Sequence, residues 1–277
     1  MAATTEVTLH TFERVCDIVK GPERMLMPIA GYQDKPLVSL EEAVAPLVHQ
    51  LPHIKTYAHT AKSRCNTKSD DDLTVDERAS IMLYTMEWTP REQCLYVVLN
   101  DTLRSADREK LMPWFLYLKL ILTALFKLPS LSCCVYRGVK RNLGSEYSKE
   151  EKFIWWAFSS CTLSEKTLGK EQFLGNTGAR TLFRIECAGG KDISRYSYYK
   201  TEEEILLLPA RQFEVVFSLP LGDDAHMVEL KEIESTFLIP PDGSKTSPIG
   251  KNFTIEIFSL ILKRMITSYY HNQLKTK

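Results

Sequence analysis

The spacing of apolar residues changes once along this chain, near residue 130, and no all-helical or all-sheet fold suits both halves. Upstream the runs carry helical periodicity. "DDLTVDERASIMLYTMEW" sets Thr74 three residues ahead of Glu77, a capping box that opens a helix bearing Ala79, Ile81, Met82 and Tyr84. "TPREQCLYVVLNDTLRSAD" predicts a second helix with Thr89 as cap and Pro90 at its first position. Loops are expected at "GPERMLMPIAGYQDKP" and around residues 62 to 72. Downstream, "CCVYRGV", "WWAFSSCT", "ARTLFRIEC", "EEILLLPARQFEVVFSL" and "AHMVELKEI" are short runs rich in β-branched and aromatic residues, divided by turn formers. In "TLFRIEC" the alternation turns Phe183, Ile185 and Cys187 to one side and Leu182, Arg184 and Glu186 to the other. A helical half ahead of a sheet-rich half is an α+β architecture. The tail segment "NFTIEIFSLIL" reads as a last strand or the start of a terminal helix.

With 277 residues and 44% hydrophobic content the chain can bury a core as one large domain or two modest ones. Thirty-five basic against 35 acidic residues leave no net field for a polyanion, so composition points neither to nucleic acid nor to an anionic membrane as partner. The most apolar stretch, "LMPWFLYLKLILTALFKL", is short for a bilayer and carries Lys119 near its middle; a buried helix beginning near Pro113 is expected, with no stable membrane insertion. The seven cysteines are odd in number and form no CxxC pair, which favours a reducing compartment.

Common enzyme signatures are missing: there is no GxGxxG, P-loop, HExxH or GxSxG. His49, His53 and His59 fall close together, but Pro52 interrupts any shared helix face and no carboxylate or cysteine completes a ligand set, so no metal site is expected. Three short segments at strand positions remain: "VYRG" at 135 to 138, "FSSCT" at 158 to 162 and "EEEI" at 202 to 205. Taken singly, each has an ordinary explanation in a salt bridge, in hydroxyl-to-backbone bonds or in a solvated acidic turn.

Taken in order, they resemble the arginine, serine-threonine-serine, glutamate arrangement of the mono-ADP-ribosyltransferase family, in its arginine-specific toxin-like and vertebrate ecto-enzyme branch. The resemblance spans roughly residues 73 to 235 and includes "LTVDERASIMLYT", "LNDTLR", "FSSCTLSEKTL" and "EEEILLLPARQFEV". It implies a split, mainly antiparallel sheet behind a helical layer, with NAD+ as co-substrate and no metal. Arg137 would hold the diphosphate, for which a rigid guanidinium fork is suited. The Gly138 backbone would meet the nicotinamide amide, where a missing side chain permits close approach. Ser160 would orient the catalytic Glu204 and shape the ribose site, with Thr162 retaining a hydroxyl and Cys161 departing from the family pattern. Glu204 would stabilise the positive charge that develops on the ribose as nicotinamide leaves. Glu202, two residues earlier as in arginine-specific members, would position the acceptor guanidinium, with Tyr198 and Tyr199 as stacking faces or, alternatively, as cover for the sheet edge. Phe173 would stack on nicotinamide, packing in the core being the alternative.

The resemblance therefore implies transfer of ADP-ribose from NAD+ to arginine side chains of target proteins. NAD+ glycohydrolase activity is the alternative within the same chemistry, and a degenerate NAD+-binding or protein-interaction module the alternative outside it. The expected organisation is a helical region over residues 1–72 with no assigned role, a catalytic domain over 73–240 and an extension over 241–277. The expected location is cytoplasmic, a secreted effector being the alternative.

Overall fold

The computed structural model describes residues 25–66, 72–164, 174, 177–199, 203–222 and 224–244. The chain divides into two compact units, Met1–Ser244 and Lys245–Lys277, and every described element belongs to the first. The tail segment 252–262 lies outside the described residues.

The described residues form five α-helices: α1 Leu40–Val44, α2 Ile54–Cys65, α3 Val75–Thr85, α4 Leu95–Arg104 and α5 Phe115–Lys127. The Thr74 capping box opens α3 as expected: Glu77 N donates to the Thr74 hydroxyl at 3.2 Å and Thr74 N to the Glu77 carboxylate at 2.8 Å. Glu77 is fully buried and also pairs with Lys127 at 2.7 Å, which joins the start of α3 to the end of α5. Ser39 and Glu42 form the same box ahead of α1.

Two boundaries differ from the sequence reading, and α5 begins near Pro113 as expected. Helix α2 runs on past Lys62, because Ala61 and Cys65, one turn apart, continue its buried face. Thr89 and Pro90 do not open α4: Pro90 is extended (φ −76°, ψ 148°), a 3-10 turn over Arg91–Gln93 follows, and Cys94 is the cap. The Cys94 thiol accepts from Trp88 N at 3.1 Å and donates to Trp88 O at 3.2 Å, which fixes the entry to the helix. Pro113 sits inside a 3-10 turn, Arg108–Trp114, and α5 begins two residues later. Lys119 reaches out of the largely buried α5 to donate to the carbonyls of Gln33 and Pro241 at 2.9 and 2.5 Å. Among the described residues no helix is long and apolar enough to cross a membrane.

Seven strands follow: β1 Leu131–Val139, β2 Lys152–Trp155, β3 Ser159–Thr162, β4 Arg180–Asp192, β5 Glu204–Leu207, β6 Arg211–Gly222 and β7 Ala225–Ile233. The run "WWAFSSCT" is not one strand. Trp156 and Phe158 turn into the core of the helical layer, so β2 ends before them and β3 starts after them, at different places in the sheet. The sheet order is β1-β3-β5-β4-β7-β6-β2, and β1 also pairs with β4. All pairs are antiparallel except β4 with β7. Strands β1, β3, β5 and β4 thus close a ring of pairing, with β7, β6 and β2 as a wing beyond it.

Two apolar clusters flank this sheet. The larger joins the helices to Phe158, Leu206 and Leu208, with Tyr84 against Phe158 at 5.1 Å between ring centroids. The smaller holds Val135, Cys161, Ile185, Ile205 and Leu207 inside the ring, continuing into Phe213, Val228 and Leu230 of the wing. Phe183, Ile185 and Cys187 share that side, as their alternation predicts. At one end of this ring the last residue of β3, Thr162, meets the first residue of β5, Glu204.

Candidate active site

Glu204 is the first residue of β5 and stands directly opposite Thr162, the last of β3. Directly opposed residues of an antiparallel pair share a face, and Ser160 joins them because side chains alternate. The Glu204 carbonyl accepts from Ile193 N at 3.1 Å, which closes the base of the turn leading into β5. Tyr136 on β1 is opposite Thr162, so the neighbouring Arg137 starts on the other side of the pleat. Its guanidinium reaches back to β3, where Nη1 donates to the Ser160 carbonyl at 2.7 Å. The structure therefore brings Arg137, Ser160, Thr162 and Glu204 together on three adjoining strands, each no more than 7% exposed.

Cys161 lies between the two hydroxyl positions, yet its side chain is in the apolar cluster with Val135 and Ile205. Burial pushes its thiol up to about 12, with Arg137 pulling it down and Glu204 raising it. The departure from the serine-threonine-serine pattern thus falls on the opposite side of the strand from Ser160 and Thr162.

At Gly138 an added Cβ would lie 3.1 to 3.4 Å from side-chain carbons of Leu174, so that residue rests directly on the glycine backbone. Phe173 and Glu202 lie outside the described residues.

The turn ahead of β5 carries the two tyrosines. Ser197 N and Tyr196 N both donate to Ile193 O at 2.9 Å, and Ser197 is fully buried. Tyr198 N donates to the Thr85 hydroxyl at 2.8 Å, which ties the turn to the end of α3, and its ring packs on the helical core. Tyr199 meets Tyr198 edge to face at 5.1 Å. The guanidinium carbon of Arg64, in the last turn of α2, lies 4.0 Å from the Tyr198 ring centroid.

Sequence reasoning missed Arg64, Leu174, Thr85 and Lys191. Lys191 is opposite Leu206 and is buried; its ammonium donates to Leu128 O at 2.7 Å and to Ser130 Oγ at 3.0 Å, and burial lowers its pKa. It secures the β4 side of β5 to the end of α5. No local pattern announces any of these four. His49, His53 and His59 are all exposed, and among the described residues no three of His, Cys, Asp and Glu gather as a metal site would require.

The chain matches the family model NAD:arginine ADP-ribosyltransferase over residues 48–237. It belongs to that family. The match begins ahead of the resemblance noted from residue 73 and takes in α2. Among solved structures, the type III effector XopAI from Xanthomonas axonopodis pv. citri is 16% identical with a TM-score of 0.54, covering 74% of this chain and 92% of that one. The ADP-ribosyltransferase HopU1 of Pseudomonas syringae pv. Tomato DC3000 is 21% identical with a TM-score of 0.48, covering 83% and 98%. The ADP-ribosyltransferase Vis of Vibrio splendidus, solved with agmatine, is 20% identical with a TM-score of 0.47, covering 73% and 90%. No curated protein matches. The XopAI likeness is one of fold, that of a helical layer on a mainly antiparallel sheet.

Family membership sets the chemistry in outline: the protein is a transferase with NAD+ as co-substrate, acting on protein targets. Arg137 offers a buried guanidinium and Glu204 a buried carboxyl group on neighbouring parts of one sheet, the group types that a diphosphate and a ribose would call for.

Proposed function

We propose that the protein transfers ADP-ribose from NAD+ to arginine side chains of target proteins, with release of nicotinamide. The observation that carries this is the burial of Glu204 opposite Thr162, one strand from Arg137. A carboxylate held there stabilises positive charge at the ribose in surroundings where water does not screen it. Arg137 binds the diphosphate and the Gly138 backbone the nicotinamide amide. Ser160 orients the Glu204 carboxylate, Thr162 lines the ribose side and Phe173 stacks on nicotinamide.

Arginine as acceptor is supported by the Glu202-x-Glu204 spacing and by the family's own description. Glu202 draws the acceptor guanidinium towards the ribose and helps it lose a proton, since a protonated guanidinium is a poor nucleophile. Tyr199 offers its ring to the same cation, and Tyr198 does so when the Arg64 guanidinium leaves it.

The test is to incubate the protein with labelled NAD+ and agmatine or poly-arginine, following labelled acceptor and free nicotinamide separately. Labelled acceptor supports the reading. Nicotinamide without labelled acceptor would make the protein a glycohydrolase. Silence in both, with NAD+ still bound, would make it a binding module.

A further inference from the structure

Arg64 is exposed and stands in the last turn of α2, yet its guanidinium carbon lies 4.0 Å from the centroid of the Tyr198 ring. Its situation differs from that of other arginines. Arg184 pairs with Glu229 at 2.7 Å, Arg104 with Asp101 at 3.2 Å and Arg211 with Glu232, whereas among the described residues Arg64 makes no hydrogen bond or ion pair. Helix α2 contains no carboxylate, and its other late cation, Lys62, is shared between Glu41 and Asp76 at 2.7 and 2.8 Å. A cation in the last turn suits the helix dipole, but the dipole does not set it on an aromatic ring.

The ring beneath Arg64 is fixed. Tyr198 N donates to the Thr85 hydroxyl at 2.8 Å, the side chain packs on the helical core, and Tyr199 meets it edge to face. The exposed Arg64 side chain is the part that can leave. A guanidinium arriving from a target protein finds a ring that already carries one, and two like charges on one ring repel. The acceptor must therefore bring something that draws Arg64 away. A carboxylate does so, because it gives the guanidinium the paired, charge-assisted hydrogen bonds that it lacks here.

We propose that Arg64 sets acceptor specificity, so that the protein prefers target arginines with an aspartate or glutamate beside them. The proposal rests on the arginine-transfer reading above and names the substrate class for it. The flanking carboxylate pairs with Arg64, the Tyr198 ring is uncovered, and the acceptor guanidinium takes the place that Arg64 held. Arg64 acts through Tyr198 and needs no contact with Glu204. The turn that carries the ring leads into β5 and is closed at its base by the bond from Ile193 N to Glu204 O at 3.1 Å.

The full chain is given labelled NAD+ with agmatine, with a peptide whose single arginine is flanked by glutamates, or with the same peptide carrying serines in their place. Arg64→Gln is assayed beside it. In the wild-type protein kcat/KM should be about three- to fivefold higher for the glutamate peptide than for the serine peptide, through KM rather than kcat, an advantage that shrinks as salt is raised. In Arg64→Gln the two peptides become equal while agmatine labelling does not fall, because the ring is already uncovered. Agmatine labelled by a wild-type protein that treats both peptides alike would overturn the proposal and leave arginine transfer standing. A glutamate preference that survives in Arg64→Gln would overturn it as well, since the selecting cation would then lie elsewhere. If no acceptor is labelled, arginine transfer fails and the proposal falls with it.

Discussion

Arg137, Ser160, Thr162 and Glu204 stand on paired strands and are almost wholly buried, whereas Tyr198 and Tyr199 stand in a turn and are half-buried, Tyr198 beneath an exposed Arg64. The first group is held by backbone ladders between β1, β3, β4 and β5; the second hangs on a few bonds, chiefly Tyr198 N to Thr85. On the proposed reading, the difference follows from what each side would recognise. A dinucleotide is always the same, so its contacts belong on rigid elements where buried charge keeps its strength. Acceptors vary, and a turn changes side chains without disturbing a sheet.

The comparison yields graded expectations. Glu204→Gln keeps the shape but removes the charge, so both acceptor labelling and nicotinamide release should fall by about a hundredfold or more, with NAD+ binding measured by calorimetry largely retained. Arg137→Lys keeps the charge but loses the planar fork and the reach to the Ser160 carbonyl; the KM for NAD+ should rise about tenfold or more, from a loss of roughly 1.5–3 kcal/mol. Tyr198→Ala should act on the other side only, raising the KM for agmatine about two- to fivefold while the KM for NAD+ stays put, as steady-state kinetics with each substrate varied would reveal. The smallest effect is expected at Cys161. Its thiol is pushed up by burial to about 12, so it stays protonated at ordinary pH, and Cys161→Ala should leave the pH dependence of the rate unaltered between about pH 6 and about pH 9. An inflection lost in that variant would mean that the thiolate takes part after all.

Much of this contrast can be read in one dimension because strand position and motif coincide. Alternation in "TLFRIEC" marks the inner face of β4, and the order of Arg137, Ser160 and Glu204 follows the order of the neighbouring strands β1, β3 and β5. The Thr74 box is legible because its two bonds are local. Where the reading erred, tertiary contacts decided. Cys94 and Trp88 override the Thr89-Pro90 start signal, and the burial of Trp156 and Phe158 in the helical core divides an apparently continuous strand. Cys161 looks like a defect in a hydroxyl motif until its side of the strand is known. Arg64 and Leu174 carry no local signal at all, since each matters only through a residue distant in sequence, Tyr198 or Gly138.

The division of labour between strands and turn is tested most directly by the partition of reacted NAD+ between labelled agmatine and free nicotinamide in the wild-type protein and in Glu202→Gln. The account predicts that the variant continues to release nicotinamide while acceptor labelling drops at least about tenfold, since charge stabilisation by Glu204 survives and acceptor capture does not. Equal loss of both activities would place Glu202 in the same unit as Glu204 and contradict the separation of a cofactor side from an acceptor side.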